Sequence, residues 1–149
     1  QLSFTDSMII HGSKRDVHLY DCGPAHTEGD LLMFLPEEKI LFTGDVLFIG
    51  CHPWIGDGNP GRWDHVLQNI QQGQAEVIIP GHGRSGSKDD VQPMRQYLQD
   101  LREMVQKYQR EGHYPHEDNA LKIPEAYAAW TLSVFYKPNL LNMWEKYGH

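Results

Sequence analysis

The chain has 149 residues, 40% of them hydrophobic and 22% charged, with a formal net charge of -7 at pH 7. That length suits one domain with a real core, and the hydrophobic content with four tryptophans excludes a disordered chain. The acidic balance excludes a nucleic-acid surface, which needs clustered Lys and Arg, and no apolar run approaches the ~20 residues that cross a bilayer.

In chain order, residues from about Ser7 to Thr43 read as β-structure. Met8-Ile9-Ile10 is a short apolar run, and Val17-His18-Leu19-Tyr20 alternates before the turn-prone Asp21-Cys22-Gly23-Pro24. Leu31 to Leu35 is apolar throughout, which predicts a strand buried on both faces. Pro36-Glu37-Glu38-Lys39 supplies a turn, and Ile40 to Thr43 returns, so the pair predicts a hairpin. Residues 50–62 form a Gly- and Pro-rich loop. Trp63, Val66, Leu67 and Ile70 then recur at helical spacing and predict a helix over Arg62 to Gln72.

Val77-Ile78-Ile79 is a further short buried strand. The longest predicted helix runs from about Lys88 to Arg110, with Pro93 admissible only in its first turn and Gly112 ending it. Two more helices, each opened by a proline, are expected over Pro124 to Phe135 and Pro138 to Tyr147. The alternation of strand and helix, with helices late, predicts an α/β layered fold. We expect residues 1–149 to form a single partial domain, with the sheet and ligand loops in 1–85 and a helical part in 86–149.

Three short stretches carry the chemistry: Ala25-His26-Thr27-Glu28-Gly29-Asp30, Phe42-Thr43-Gly44-Asp45 and Pro80-Gly81-His82-Gly83. Each sets one good metal ligand beside glycine near the end of an apolar run. Zinc takes neutral imidazole and carboxylate readily, and strand-end loops can bring three such ligands to one rim of a sheet. The glycines permit backbone angles and close approaches that a Cβ would block. Singly, each motif is more often a turn than a site. It is their order that carries weight.

His26-Thr27-Glu28-Gly29-Asp30, Leu41-Phe42-Thr43-Gly44-Asp45 and Pro80-Gly81-His82-Gly83 resemble the third, fourth and fifth ligand motifs of the metallo-β-lactamase superfamily, in the same order and around the same hairpin. The resemblance covers about residues 7–85 and implies the C-terminal half of an αββα sandwich, with extra C-terminal helices. The last forty residues match no family pattern. It also implies two zinc ions, with iron or manganese as alternatives, His26 on one ion, His82 on the other and Asp45 bridging. The family's upstream H-x-H-x-D-H run, which supplies two further ligands to each ion, occurs nowhere in these residues. Asp45 stands where the best-known β-lactamase subclass carries cysteine. Gly50-Cys51-His52-Pro53 departs from the Gly-Cys-Gly-Arg run of glyoxalase-II-like thioesterases.

The resemblance implies a hydrolase that acts on an ester, thioester, lactone or related small molecule through a metal-bound hydroxide. Three ligands fall short of two sites, so the chain by itself is expected to be inactive. The alternative is a non-enzymatic binding module that keeps the fold without a complete metal site. A redox di-iron version would bring an extra carboxylate upstream and a flavin domain, neither of which is visible here. By analogy His52 and Trp54 are expected to line the substrate pocket. His11, His18, His65, His113 and His116 read as surface, packing or loop residues, and His149 as a terminus.

Cys22 and Cys51 are too few for a disulfide framework and fit a reducing, cytoplasmic compartment as buried small hydrophobes. Gln1 in place of methionine leads us to expect preceding sequence. Half a sandwich leaves one apolar sheet face uncovered. Its expected cover is the N-terminal half of the fold, a partner fragment, or a second copy in a homo-oligomer. No nucleic-acid or membrane partner is expected.

Overall fold

The computed structural model describes residues 3–117 and 121–148; His149 lies outside them. Five strands form one mixed sheet in the order β1-β2-β3-β4-β5: Ser7–His11, Asp16–Gly23, Asp30–Leu35, Ile40–Phe48 and Val77–His82. The first four are antiparallel neighbours, as short turns permit, and β4 and β5 are parallel. The parallel pair needs a crossover, and α1, Pro60–Gln72, provides it. The hairpin between β3 and β4 and the α/β class follow the sequence pattern.

The two faces of the sheet differ. Phe34, Leu41 and Ile78 stand side by side across β3, β4 and β5 and are all buried. On this side α1 packs through Trp63, Val66, Leu67 and Ile70, and α2, Gln92–Glu111, through Met94, Tyr97, Leu98, Leu101 and Val105. Arg95 on α2 reaches Asp64 on α1 at 2.8 Å and ties the two helices. The other face carries Met8, Leu19, Met33, Phe42 and Ile79 in register across all five strands, none of them buried. Leu31 on that face is 44% exposed, so β3 is not buried on both sides as its composition predicted. Its continuous apolar run serves one covered face and one open face.

Several boundaries differ from the sequence reading. β4 runs on to Phe48, so Asp45 lies within the strand and not at its end. Lys88–Val91 forms a separate 3-10 turn capped by Ser87 and Asp90, and α2 begins after it with Pro93 in its first turn. Gly112 ends α2 with φ 68°, as expected. Pro124 to Phe135 is not an α-helix but two 3-10 turns, Glu125–Tyr127 and Ser133–Phe135. The segment between them is held by pairing with the loop after β4: the Thr131 N–H donates to the Gly50 carbonyl and the His52 N–H to the Thr131 carbonyl, each at 3.0 Å. The last helix, α3, runs Tyr136–Tyr147.

Candidate metal centre

His26, Asp45 and His82 converge. The carboxylate of Asp45 lies between the two imidazoles, with Oδ2 3.8 Å from His26 Nε2 and Oδ1 3.5 Å from His82 Nε2. Both separations exceed the 2.7–3.2 Å of an ordinary N–H···O hydrogen bond. They lie nearer the ~3.3 Å that separates two donors held about 2.0–2.1 Å from one tetrahedral ion. Asp45 and His82 are open to solvent, at 45% and 50% side-chain exposure, whereas His26 is inset at 14%. His26 Nδ1 is buried and has no hydrogen-bond partner among the described residues.

Each side chain is placed by its local backbone. The ladder between β4 and β5 shifts register at Gly44, whose φ is 52°, and this irregularity aims Asp45 out of the sheet. Gly81 faces it: a Cβ there would overlap Asp45 Oδ1 and lie 2.7 Å from the Gly44 carbonyl carbon. His82 is the last residue of β5, and its carbonyl accepts the Ile49 N–H at 3.0 Å. His26 sits in the loop between β2 and β3, which Asp30 clamps on both sides. Asp30 Oδ2 accepts from the Ala25 and Thr27 N–H groups at 3.0 Å each, and Oδ1 accepts from the Thr27 hydroxyl at 2.8 Å.

The rings around the site are aromatic. Phe48 stacks on His82 with centroids 4.8 Å apart and planes at 13°, and it also contacts His26 at 5.8 Å. Trp63 of α1 meets His26 edge to face at 5.2 Å. The sequence reading gave neither ring a role at the site, and none to Asp30 beyond its place in the motif. Asp30 had a signal in Thr27-x-x-Asp30, a spacing at which a side chain satisfies turn amides. Phe48, three residues after Asp45, had none beyond its apolar character.

The donors suit zinc as part of a ligand set, because two imidazoles and one carboxylate are the groups it takes. Among the described residues no three His, Cys, Asp or Glu side chains close around one point to hold an ion. Asp45 presents a different oxygen to each imidazole, which fits a carboxylate shared between two positions better than three donors on one.

His52 does not sit where the sequence reading put it. His52 is fully buried, packed against Tyr97, Trp130 and Tyr136, because the loop after β4 folds inward and is pinned by the C-terminal segment. Its Nδ1 lies 3.2 Å from the Tyr97 hydroxyl and its Nε2 3.3 Å from the Tyr127 carbonyl, and burial pushes its pKa down. It is a core residue, not a pocket wall. Trp54 is half-buried, donates to Asp57 at 3.0 Å and packs on Phe135. Cys51 is buried as expected, and burial raises the thiol pKa of half-buried Cys22 to about 11. A cavity of about 680 Å³ lies between α1 and strands β2 to β4, lined by Tyr20, Leu32, Phe34, Arg62 and His65 among others. None of His26, Asp45 or His82 lines it.

The fold and this rim define an α/β protein with two imidazoles and a carboxylate gathered at one end of its sheet. The chain belongs to the metallo-β-lactamase superfamily: the model of that family matches residues 10–82. A type 2 metallo-β-lactamase of Bacteroides fragilis is 27% identical over 109 residues, 70% of this chain and 44% of that protein. A hydroxyacylglutathione hydrolase of Brucella ovis is 37% identical over 59 residues, 39% of this chain and 20% of that protein. Among solved structures, a metallo-β-lactamase from Pontibacter korlensis shares 25% identity at a TM-score of 0.59, over 65% of this chain and 47% of that one.

The chain thus spans less than half the length of each of these relatives. A double mutant of the sec-alkyl sulfatase PisA1 superposes on 99% of this chain and 26% of that one, with a TM-score of 0.73 at 17% identity. The fold of the helical tail, which matched no sequence pattern, is therefore shared with that structure.

Proposed function

We propose that this chain carries part of the metal centre of a zinc-dependent hydrolase acting on an ester, thioester, lactone or related small molecule. The observation that supports this is the position of Asp45, with one carboxylate oxygen toward each of His26 and His82. His26 would hold one ion, His82 the other and Asp45 both. When bound, zinc supplies Lewis-acid activation of water and of a scissile carbonyl. The relatives named for β-lactam and hydroxyacylglutathione hydrolysis favour attack at an acyl carbon over other chemistries of the fold.

The residues of this chain do the positioning. Asp45 is exposed enough to meet ions and solvent, and Gly81 leaves room for its carboxylate. Inset His26 keeps one nitrogen toward Asp45. Three donors fall short of two ion sites, so we expect the 149-residue chain alone to be inactive.

The test is zinc content and hydrolysis of a thioester and lactone panel by the full-length protein, with and without Asp45→Ala. We expect the variant to lose bound zinc and at least a hundredfold in kcat/KM. Unchanged zinc content overturns the reading.

A further inference from the structure

We infer that Phe48 is the positioning residue for both imidazoles, holding His26 and His82 by ring packing where a ligand histidine ordinarily uses a hydrogen bond. This rests on the reading of the trio as metal ligands. A histidine bound to a metal almost always donates its other ring N–H to a carboxylate, a carbonyl or water, which fixes the orientation of the ring. Here His26 Nδ1 is buried and unpartnered among the described residues. The ring of His82, half exposed to solvent, lies flat on Phe48, at 4.8 Å and 13°.

Phe48 is suited to the task. It is 4% exposed, pairs directly with His82 across the ladder, and its N–H is directed at Met94 Sδ of α2 at 3.2 Å. Its ring touches both imidazoles, stacked on one and tilted against the other, within the 4.5–7 Å range that aromatic pairs prefer. Trp63 closes the other side of His26. It is fully buried and locked by its Nε1–H, which donates to the Val46 carbonyl at 2.8 Å.

The ring contacts and the bridging carboxylate therefore return to β4. Asp45 is carried on that strand, Val46 anchors the tryptophan that abuts His26, and Phe48 seats both histidines. Ring packing sets the tilt of each imidazole but does not choose between its two nitrogens.

The experiment compares wild type, Phe48→Leu, which keeps apolar bulk without a ring face, and Phe48→Tyr, which keeps the ring. Two measurements are made on the full-length protein. In the metal-free protein, the His82 ring protons are expected upfield from ring-current shielding by Phe48, and at ordinary positions in F48L. By chelator competition, zinc binding is expected to weaken roughly 10–100-fold in F48L and to be restored in F48Y.

Unshielded His82 protons in the wild type overturn the proposal even if F48L fails to fold, and so does unchanged zinc affinity in a folded F48L. Absence of zinc binding in the wild type overturns the metal reading instead, while the ring-current shifts still decide whether Phe48 seats His82.

Discussion

His52 gives the clearest pH-dependent consequence at the scale of a single residue. The Tyr127 carbonyl can only accept, so the proton of neutral His52 sits on Nε2. Nδ1 then accepts from the Tyr97 hydroxyl, which itself accepts from Asn139 Nδ2 at 3.0 Å. Protonating Nδ1 would set two donors against each other inside the core. Burial accordingly lowers the His52 pKa below that of an ordinary imidazole.

The unfolded chain takes up this proton first as pH falls through about 6.5, so the contribution is whole above that value and is lost on acidification. We expect thermal unfolding to be flat in pH between about 7 and 8 and to fall below 6.5. The His52 part of that slope is at most about 1.4 kcal/mol per pH unit. His52→Gln should remove that part, and an identical acid slope in the variant would refute the assignment.

At the scale of elements, most strands and the first two helices were legible because their signals are local. Apolar runs between turn residues gave β3 and β4, and the spacing of Trp63, Val66, Leu67 and Ile70 gave α1. What was not legible depended on distant partners. Residues 124–135 carry helical composition but spend their hydrogen bonds on Gly50 and His52, far away in the chain. His52 looked like a loop residue because nothing local shows that Tyr97, Trp130 and Tyr136 will enclose it. The trio itself was legible from glycine-flanked ligands in order, whereas the rings that seat the histidines were not.

The connection between β2 and β3 yields the prediction at this scale. One carboxylate, Asp30, satisfies two amides and a hydroxyl on either side of His26. Asp30→Ala should cost about 1–3 kcal/mol in denaturant unfolding, since it strands amides in a tight turn. Hydrogen exchange should quicken at the Ala25 and Thr27 amides while those of α2 keep their relative protection. Equal loss of protection throughout the molecule would mean that Asp30 supports the fold rather than the loop.

At the scale of the whole molecule, the open sheet face decides behaviour. Met8, Leu19, Met33, Phe42 and Ile79 form one apolar row across five strands, with Ile10, Leu31 and Val77 exposed on the same side. Contiguous exposed apolar surface of this kind marks a contact surface or an aggregation site. The helices already occupy the opposite face, so nothing among the described residues covers this one. Preceding sequence or a second copy of the chain is the cover we propose.

The 149-residue polypeptide on its own should therefore run above its 17.2 kDa in size-exclusion chromatography with light scattering. Met33→Lys together with Phe42→Lys should shift it toward the monomer, because two charges in the middle of the row make face-to-face burial costly. Neither position lies in the covered core, so far-UV circular dichroism should change little. A stable monomer of the unmodified polypeptide at micromolar concentration would show that the row tolerates water and needs no cover.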